Sequence, residues 1–185
     1  MFDIETMGTE STSVVLSAAI IHFEFGEKYT YQELVERALF VKFNASEQVE
    51  KYKRVVTKES IEWWNKQAEL PKKISFVPKK TDLPALEGIA KIKKYVKEHG
   101  GSEQMFWARG SLDQMVIDSL CLAIGEERIT QYNNWRDVRT AVDFLSESSK
   151  NGYCPVKNFN ADLHVIKHIP QNDCALDIMM MLYPA

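Results

Sequence analysis

Cysteine is scarce and badly placed for structure. The chain has three, Cys121, Cys154 and Cys174. The number is odd and no pair has metal-ligand spacing, which excludes a disulfide scaffold and a cysteine-based zinc site and leaves reduced thiols. No apolar run approaches the ~20 residues that cross a bilayer, and no basic segment followed by an apolar stretch opens the chain in the manner of a signal peptide. The expectation is therefore a cytoplasmic protein with no membrane partner. A basic excess is also missing: the net charge is -3. Any nucleic-acid partner must then be held by local basic groups and bound cations. Repeats, low-complexity tracts and an evident linker are absent too. The 185 residues are 45% hydrophobic and 26% charged, the make-up of one globular domain over 1–185 with a sizeable core.

The pattern along the chain gives strands first and helices later. Met1 to Glu5 reads as the end of a strand, Ser13 to Phe25 as a strand or pair of strands, and Ala38 to Phe43 as another. Thr57 is placed to cap a helix with Ile61, Trp64 and Ala68 on one face. Pro71 to Thr81 reads as a lysine-bearing loop. Asp82 is a candidate cap for a helix carrying Ala85, Ile89, Ile92 and Val96, which Gly100-Gly101 stops. A short strand, Gln104 to Ala108, precedes a helix over Ser111 to Ala123 with Leu112, Met115, Val116 and Leu120 near one face. Asp137 caps a further helix, Gly152 to Pro155 turns, and the last helix spans about Asp173 to Leu182. The implied class is α/β, a mixed sheet flanked by helices.

The chemistry starts from Asp3-Ile4-Glu5. Residues i and i+2 of a strand share a face, so the two carboxylates stand together and raise each other's pKa unless a cation neutralises them. Hard cations such as Mg²⁺ want such oxygen ligands. Asp113 sits after the turn Arg109-Gly110-Ser111-Leu112, where a strand gives way to a helix. His168 precedes Asp173 by five residues, at a loop leading into the last helix. Histidine titrates near neutrality and suits a general base. Taken singly, each has an ordinary explanation: a solvated strand end, a helix-start aspartate, an exposed loop histidine. His164 competes with His168, and Asp177, one turn beyond Asp173, competes with Asp173.

Their order along the chain resembles the DEDDh family of 3′→5′ exonucleases. The strings Asp3-Ile4-Glu5-Thr6-Met7-Gly8, Trp63-Trp64-x-x-Gln67, Trp107-x-Arg109-Gly110-x-x-Asp113, Trp135-Arg136-Asp137-Val138-Arg139-Thr140 and Asp173-Cys174-Ala175-x-Asp177-Ile178 are similar to the exonuclease A branch of large tailed phages and its bacterial exoribonuclease-like relatives. The resemblance implies a ribonuclease H-like fold with about five strands in one mixed sheet. It implies two divalent cations, Mg²⁺ or Mn²⁺, held by Asp3, Glu5, Asp113 and Asp173. Asp3 would bridge both, Glu5 and Asp173 would serve the ion that activates water, Asp113 would serve the other, and His168 would take the proton. Thr6, Met7, Trp64, Trp107 and Arg109 are the substrate-binding candidates it suggests, with one of Trp63 and Trp64 buried and the other nearer the groove. The expected substrate is single-stranded nucleic acid with a free 3′ end, DNA favoured, in host cytoplasm if the protein is phage-encoded. RNA as substrate, a very short oligonucleotide as substrate, and a non-catalytic binding module are the alternatives. A homodimer accords with the family and is not decided by the residues. One departure is that only Met1 and Phe2 precede Asp3, which predicts a weaker edge at the first strand.

Overall fold

The computed structural model describes residues 1–185. Strand β1, Phe2–Thr6, pairs antiparallel with β2, Val15–Ile20, which pairs antiparallel with β3, Leu39–Lys42. Between them lies α1, Tyr31–Glu36, opened by a capping box in which Thr30 and Glu33 satisfy each other's backbone N–H groups. Helices α2 (Ala45–Tyr52), α3 (Lys58–Asn65) and a short α4 (Glu69–Pro71) follow. The long α5, Ala85–Glu98, leads to β4, Phe106–Ala108, and α6, Leu112–Ala123. β5, Trp135–Asp137, pairs parallel with β4, and α7 (Val138–Leu145), α8 (Ala161–His164) and α9 (Pro170–Leu182) complete the chain. No helix is long and apolar enough to cross a membrane.

The class is mixed α/β, but the strands form a three-stranded and a two-stranded ladder rather than one sheet of about five. β4 lies beside β1, yet the Ile4 N–H donates to the Asp113 carboxylate at 3.0 Å instead of to a strand carbonyl. A side chain thus occupies a backbone donor on the edge that faces β4, and β4 is only three residues long.

Two cores sandwich the three-stranded sheet. Alternation sends Phe2 and Ile4 to one face, where they pack with Ile89, Ile92, Val116 and Leu120 of α5 and α6. Gly88 makes that approach close: a Cβ there would lie 2.3 Å from the Phe43 ring. On the other face Ala19 and Ile21 pack with Val138, Val142 and the small or flexible residues Cys174, Ala175, Ile178 and Met181. Asp3 and Glu5 share this second face, the one α9 covers.

Several sequence boundaries shift. The strand expected over Ser13 to Phe25 is regular only from Val15 to Ile20, and the chain turns at Gly26, whose φ is +97°. Asp82 caps nothing. Its carboxylate accepts from Lys79 N at 2.8 Å and faces Lys42 at 3.6 Å, and Pro84 precedes the helix. Lys72–Phe76 is a helical turn rather than loop, anchored by a Ser17–Ser75 hydroxyl bond of 2.8 Å. Met115 is exposed, so the apolar stripe of α6 runs through Val116, Ile117 and Leu120. The last helix begins at Pro170, because proline at the first helical position forfeits only an N–H that has no intrahelical partner. Thr57 and Asp137 cap as expected, accepting from Ser60 N at 3.2 Å and Thr140 N at 2.7 Å.

Candidate active site

Three separate pieces of chain bring carboxylates to the α9 end of the sheet. β1 contributes Asp3 and Glu5 from one face. Asp113, in the first turn of α6, is buried and reaches back to Ile4 N. Asp173, in the first turns of α9, folds over the helix start and accepts from His168 N at 2.8 Å. That bond holds His168 with φ at +63°, a left-handed conformation that few residues other than glycine adopt. Ligand atoms of Glu5, His168 and Asp173 all lie within 4.8 Å of one another. His168 Nδ1 is 3.9 Å from Glu5 Oε1, near enough for attraction and too far for a hydrogen bond.

The electrostatics are those of a site built for positive charge. Burial, followed by Asp113, Asp173 and Glu5, raises the Asp3 carboxyl well above the ordinary range. Burial, followed by Asp173 and Asp113, raises Glu5 as well. Asp113 and Asp173 are each pushed up to about 7, mainly by burial. None of the four is ion-paired with a lysine or arginine, and Asp3 Oδ2 is enclosed with no hydrogen-bond partner. Buried polar atoms are almost always satisfied, so an enclosed carboxylate oxygen without a donor, amid three more carboxylates, fits a hard cation as the missing partner. His168 is lowered by burial and by Lys167, which favours the neutral imidazole.

The substrate-contact candidates are sorted differently. Trp64 is fully buried, stacks on Phe76 at 5.6 Å and donates its Nε1–H to Thr6 O at 3.0 Å. It is a core residue that ties α3 to β1. Trp63 is the exposed one, and its ring meets His168 edge-to-face at 4.7 Å and 83°. Met7 is buried with Val14, Leu16 and Trp64, which makes it core. Trp107 lines an apolar pocket at the Met1 end of β1 and packs on Phe25. Arg109 is committed inward. Its guanidinium pairs with Asp177 (Nε to Oδ1 3.1 Å), donates to Gly152 O at 2.9 Å and lies 4.0 Å from the Tyr153 ring centre. That pairing also occupies Asp177, the competitor of Asp173. Thr6 is half-buried, its hydroxyl donating to Gly8 O at 2.6 Å. His164 packs on Phe159 at 5.3 Å, apart from the carboxylates' contacts.

A family model described as the 3′-5′ exoribonuclease Rv2179c-like domain matches residues 1–169. The chain belongs to that family of 3′-5′ exonucleases. The match includes Asp3, Glu5, Asp113 and His168 and stops short of Asp173. The exodeoxyribonuclease of Enterobacteria phage T4 is 30% identical over 201 residues, spanning 99% of this chain and 87% of its own length. Residues beyond 169, Asp173 among them, fall within the span of that relative.

Proposed function

We propose that this member of the family is a cation-dependent 3′→5′ exonuclease of the DEDDh type, on a ribonuclease H-like scaffold, releasing mononucleotides from single-stranded DNA in preference to RNA. The observation that carries the reading is the enclosed, unpartnered Oδ2 of Asp3, whose carboxyl is raised by the neighbouring Asp113, Asp173 and Glu5, in a set of four carboxylates none of which is ion-paired with a lysine or arginine. The DNA preference rests on the phage relative that spans nearly the whole chain.

Asp3, Glu5, Asp113 and Asp173 would hold two divalent cations, Mg²⁺ or Mn²⁺. When bound, such ions lower the pKa of water and steady the leaving oxygen of an in-line displacement. The chain's own residues supply the rest. β1 fixes the spacing of Asp3 and Glu5. Ile4 N orients Asp113, and His168 N orients Asp173. Neutral His168, held between Glu5 and the Trp63 ring, accepts the proton of the attacking water, a step worth about 10² to 10⁴ in rate. Thr6 and Trp63 are the groups left free enough to meet the terminal nucleotide. The Arg109–Asp177 pair, buried beneath, locks α9 to the end of β4 and so sets the position of Asp173.

End-labelled single-stranded DNA and RNA of equal sequence, each with Mn²⁺, with Mg²⁺ and with EDTA, test the proposal. Stepwise loss of mononucleotides from the 3′ end, faster on DNA and abolished by EDTA, is expected. Cleavage that persists in EDTA, or products longer than one nucleotide, would overturn the mechanism. Faster loss from RNA would reverse the substrate preference alone.

A further inference from the structure

A second feature lies along α9, beyond Asp173. A groove between α1, the C-terminal half of α9 and the 157–164 segment is lined by Lys28, Tyr31, Lys157, Phe159 and Met179 among others. Aromatic rings run in series from Tyr31 through Phe159 of the groove to His164 beside it. Tyr31 and Phe159 have centroids 5.1 Å apart at 31°, and Phe159 and His164 are 5.3 Å apart at 30°. The Tyr31 hydroxyl is enclosed and has no hydrogen-bond partner. Neither Lys28 nor Lys157 takes part in an ion pair. The nearby acid, Glu33, is committed to the Thr30 backbone and hydroxyl at 2.8 Å each.

The chain ties the groove to the catalytic elements. The segment that carries Phe159 and His164 runs directly into His168, and Met179 lies about 9 Å along α9 from Asp173 at the helical rise. The Tyr31 phenol also feels the Asp173 carboxylate: burial first, and that charge second, push it up to about 12. The apolar pocket at the Met1 end of β1 is built differently, with neither lysine nor arginine among its lining residues. Aromatic rings that accept base faces, flanked by lysines with no protein partner, are the chemistry of single-strand binding.

We propose that this groove binds the single strand upstream of the scissile linkage, with Tyr31 and Phe159 meeting bases and Lys28 and Lys157 meeting phosphates. The proposal deepens the nuclease reading by assigning the path of the substrate away from the 3′ end.

The test is binding of a fluorescent oligodeoxythymidine of about twelve nucleotides, within the site sizes single-strand binders show, to the full chain in EDTA, with strand integrity checked by gel. Lys28→Glu with Lys157→Glu is expected to weaken binding at least tenfold at low salt. It should also flatten the log–log salt dependence by roughly 1.4, since each single-strand phosphate contact contributes about 0.7. Phe159→Leu is expected to cost on the order of tenfold for the intact strand and nothing for an abasic strand of the same length. The lysine double variant should melt as the parent does, and Phe159→Leu is compared at a temperature where it remains folded. In Mg²⁺, the lysine variant should raise KM for the long strand and leave dinucleotide kcat/KM unchanged. Parental affinity and salt slope in the lysine double variant overturn the groove assignment, whatever the dinucleotide result. A chain that binds the strand through these lysines yet cuts nothing in Mg²⁺ or Mn²⁺ instead refutes the nuclease reading and leaves the groove standing.

Discussion

Replacing Asp3 by Asn should make the metal-free protein more stable while destroying its use of cations. The wild-type cluster places Asp3 among Glu5, Asp113 and Asp173, and each of the four is raised above its ordinary pKa. The folded state therefore binds protons more tightly than the unfolded chain. For groups shifted upward, stability is fully present below the unfolded pKa near 4 and is lost as pH rises toward the folded value. A single carboxyl held at about 7 corresponds to roughly 4 kcal/mol lost by pH 8. The four share one repulsion, so removing one charge should recover about 1–3 kcal/mol rather than that full amount. For a chain of 185 residues each kcal/mol moves Tm by about 2–4 °C, giving an expected gain of about 2–12 °C in EDTA at pH 8. At pH 5 the gap should narrow, because wild-type carboxyls are then largely protonated. Adding Mg²⁺ at a hundred times its dissociation constant should restore about 2.7 kcal/mol to wild type and much less to Asp3→Asn, so the order of stability shifts back. Differential scanning fluorimetry in EDTA and in Mg²⁺ at both pH values reads all of this. An Asp3→Asn variant that melts below wild type in EDTA at pH 8, or that keeps the whole Mg²⁺ shift, would show that the cluster is not a strained cation site.

Three further outcomes are expected. His168→Ala should lower kcat by about 10² to 10⁴ and keep the cation-induced rise in Tm; turnover at the parental rate at pH 7 to 8 would remove the histidine from the mechanism. Trp64→Ala should cost about 3–5 kcal/mol in chemical denaturation because Trp64 is fully buried, whereas Trp63→Ala should unfold near the parental midpoint yet lose turnover. The reverse pattern would mean that the two rings had been assigned to the wrong sides of α3. Arg109→Met leaves Asp177 as an unpaired buried charge and should cost about 3–5 kcal/mol, with Arg109→Lys recovering only part; a loss under 1 kcal/mol would show the pair to be dispensable.

How far the site could be read in advance varies by residue. Asp3 and Glu5 were legible because strand alternation alone puts them on one face. Which member of the tryptophan pair is buried was legible as well. Ile61 and Trp64, three apart, were expected on one helix face, which turns Trp63 about 100° away from Trp64, but the motif drew attention to Trp64. Arg109 looked like a substrate contact because a motif records that an arginine is present, and not which carboxylate it faces. Its partner Asp177 is 68 residues away. Tyr31 carried no signal in the sequence, since its surroundings depend on Phe159 and on a helix at the far end of the chain.

By itself, the sequence determined the local facts: where helices are capped by Thr57 and Asp137, which face of α5 is apolar, where Gly100-Gly101 stops that helix, and which residue types are candidates for the chemistry. These follow from interactions spanning a few residues, whose periods of two and 3.6 are written in the order of side chains. Only the tertiary structure decided that Ile4 N–H goes to Asp113 rather than to a neighbouring strand, that Arg109 turns inward, and that Asp3 Oδ2 is left enclosed with no donor. Burial and electrostatic strain depend on what the rest of the chain brings to within a few ångströms, and no spacing along the chain encodes that.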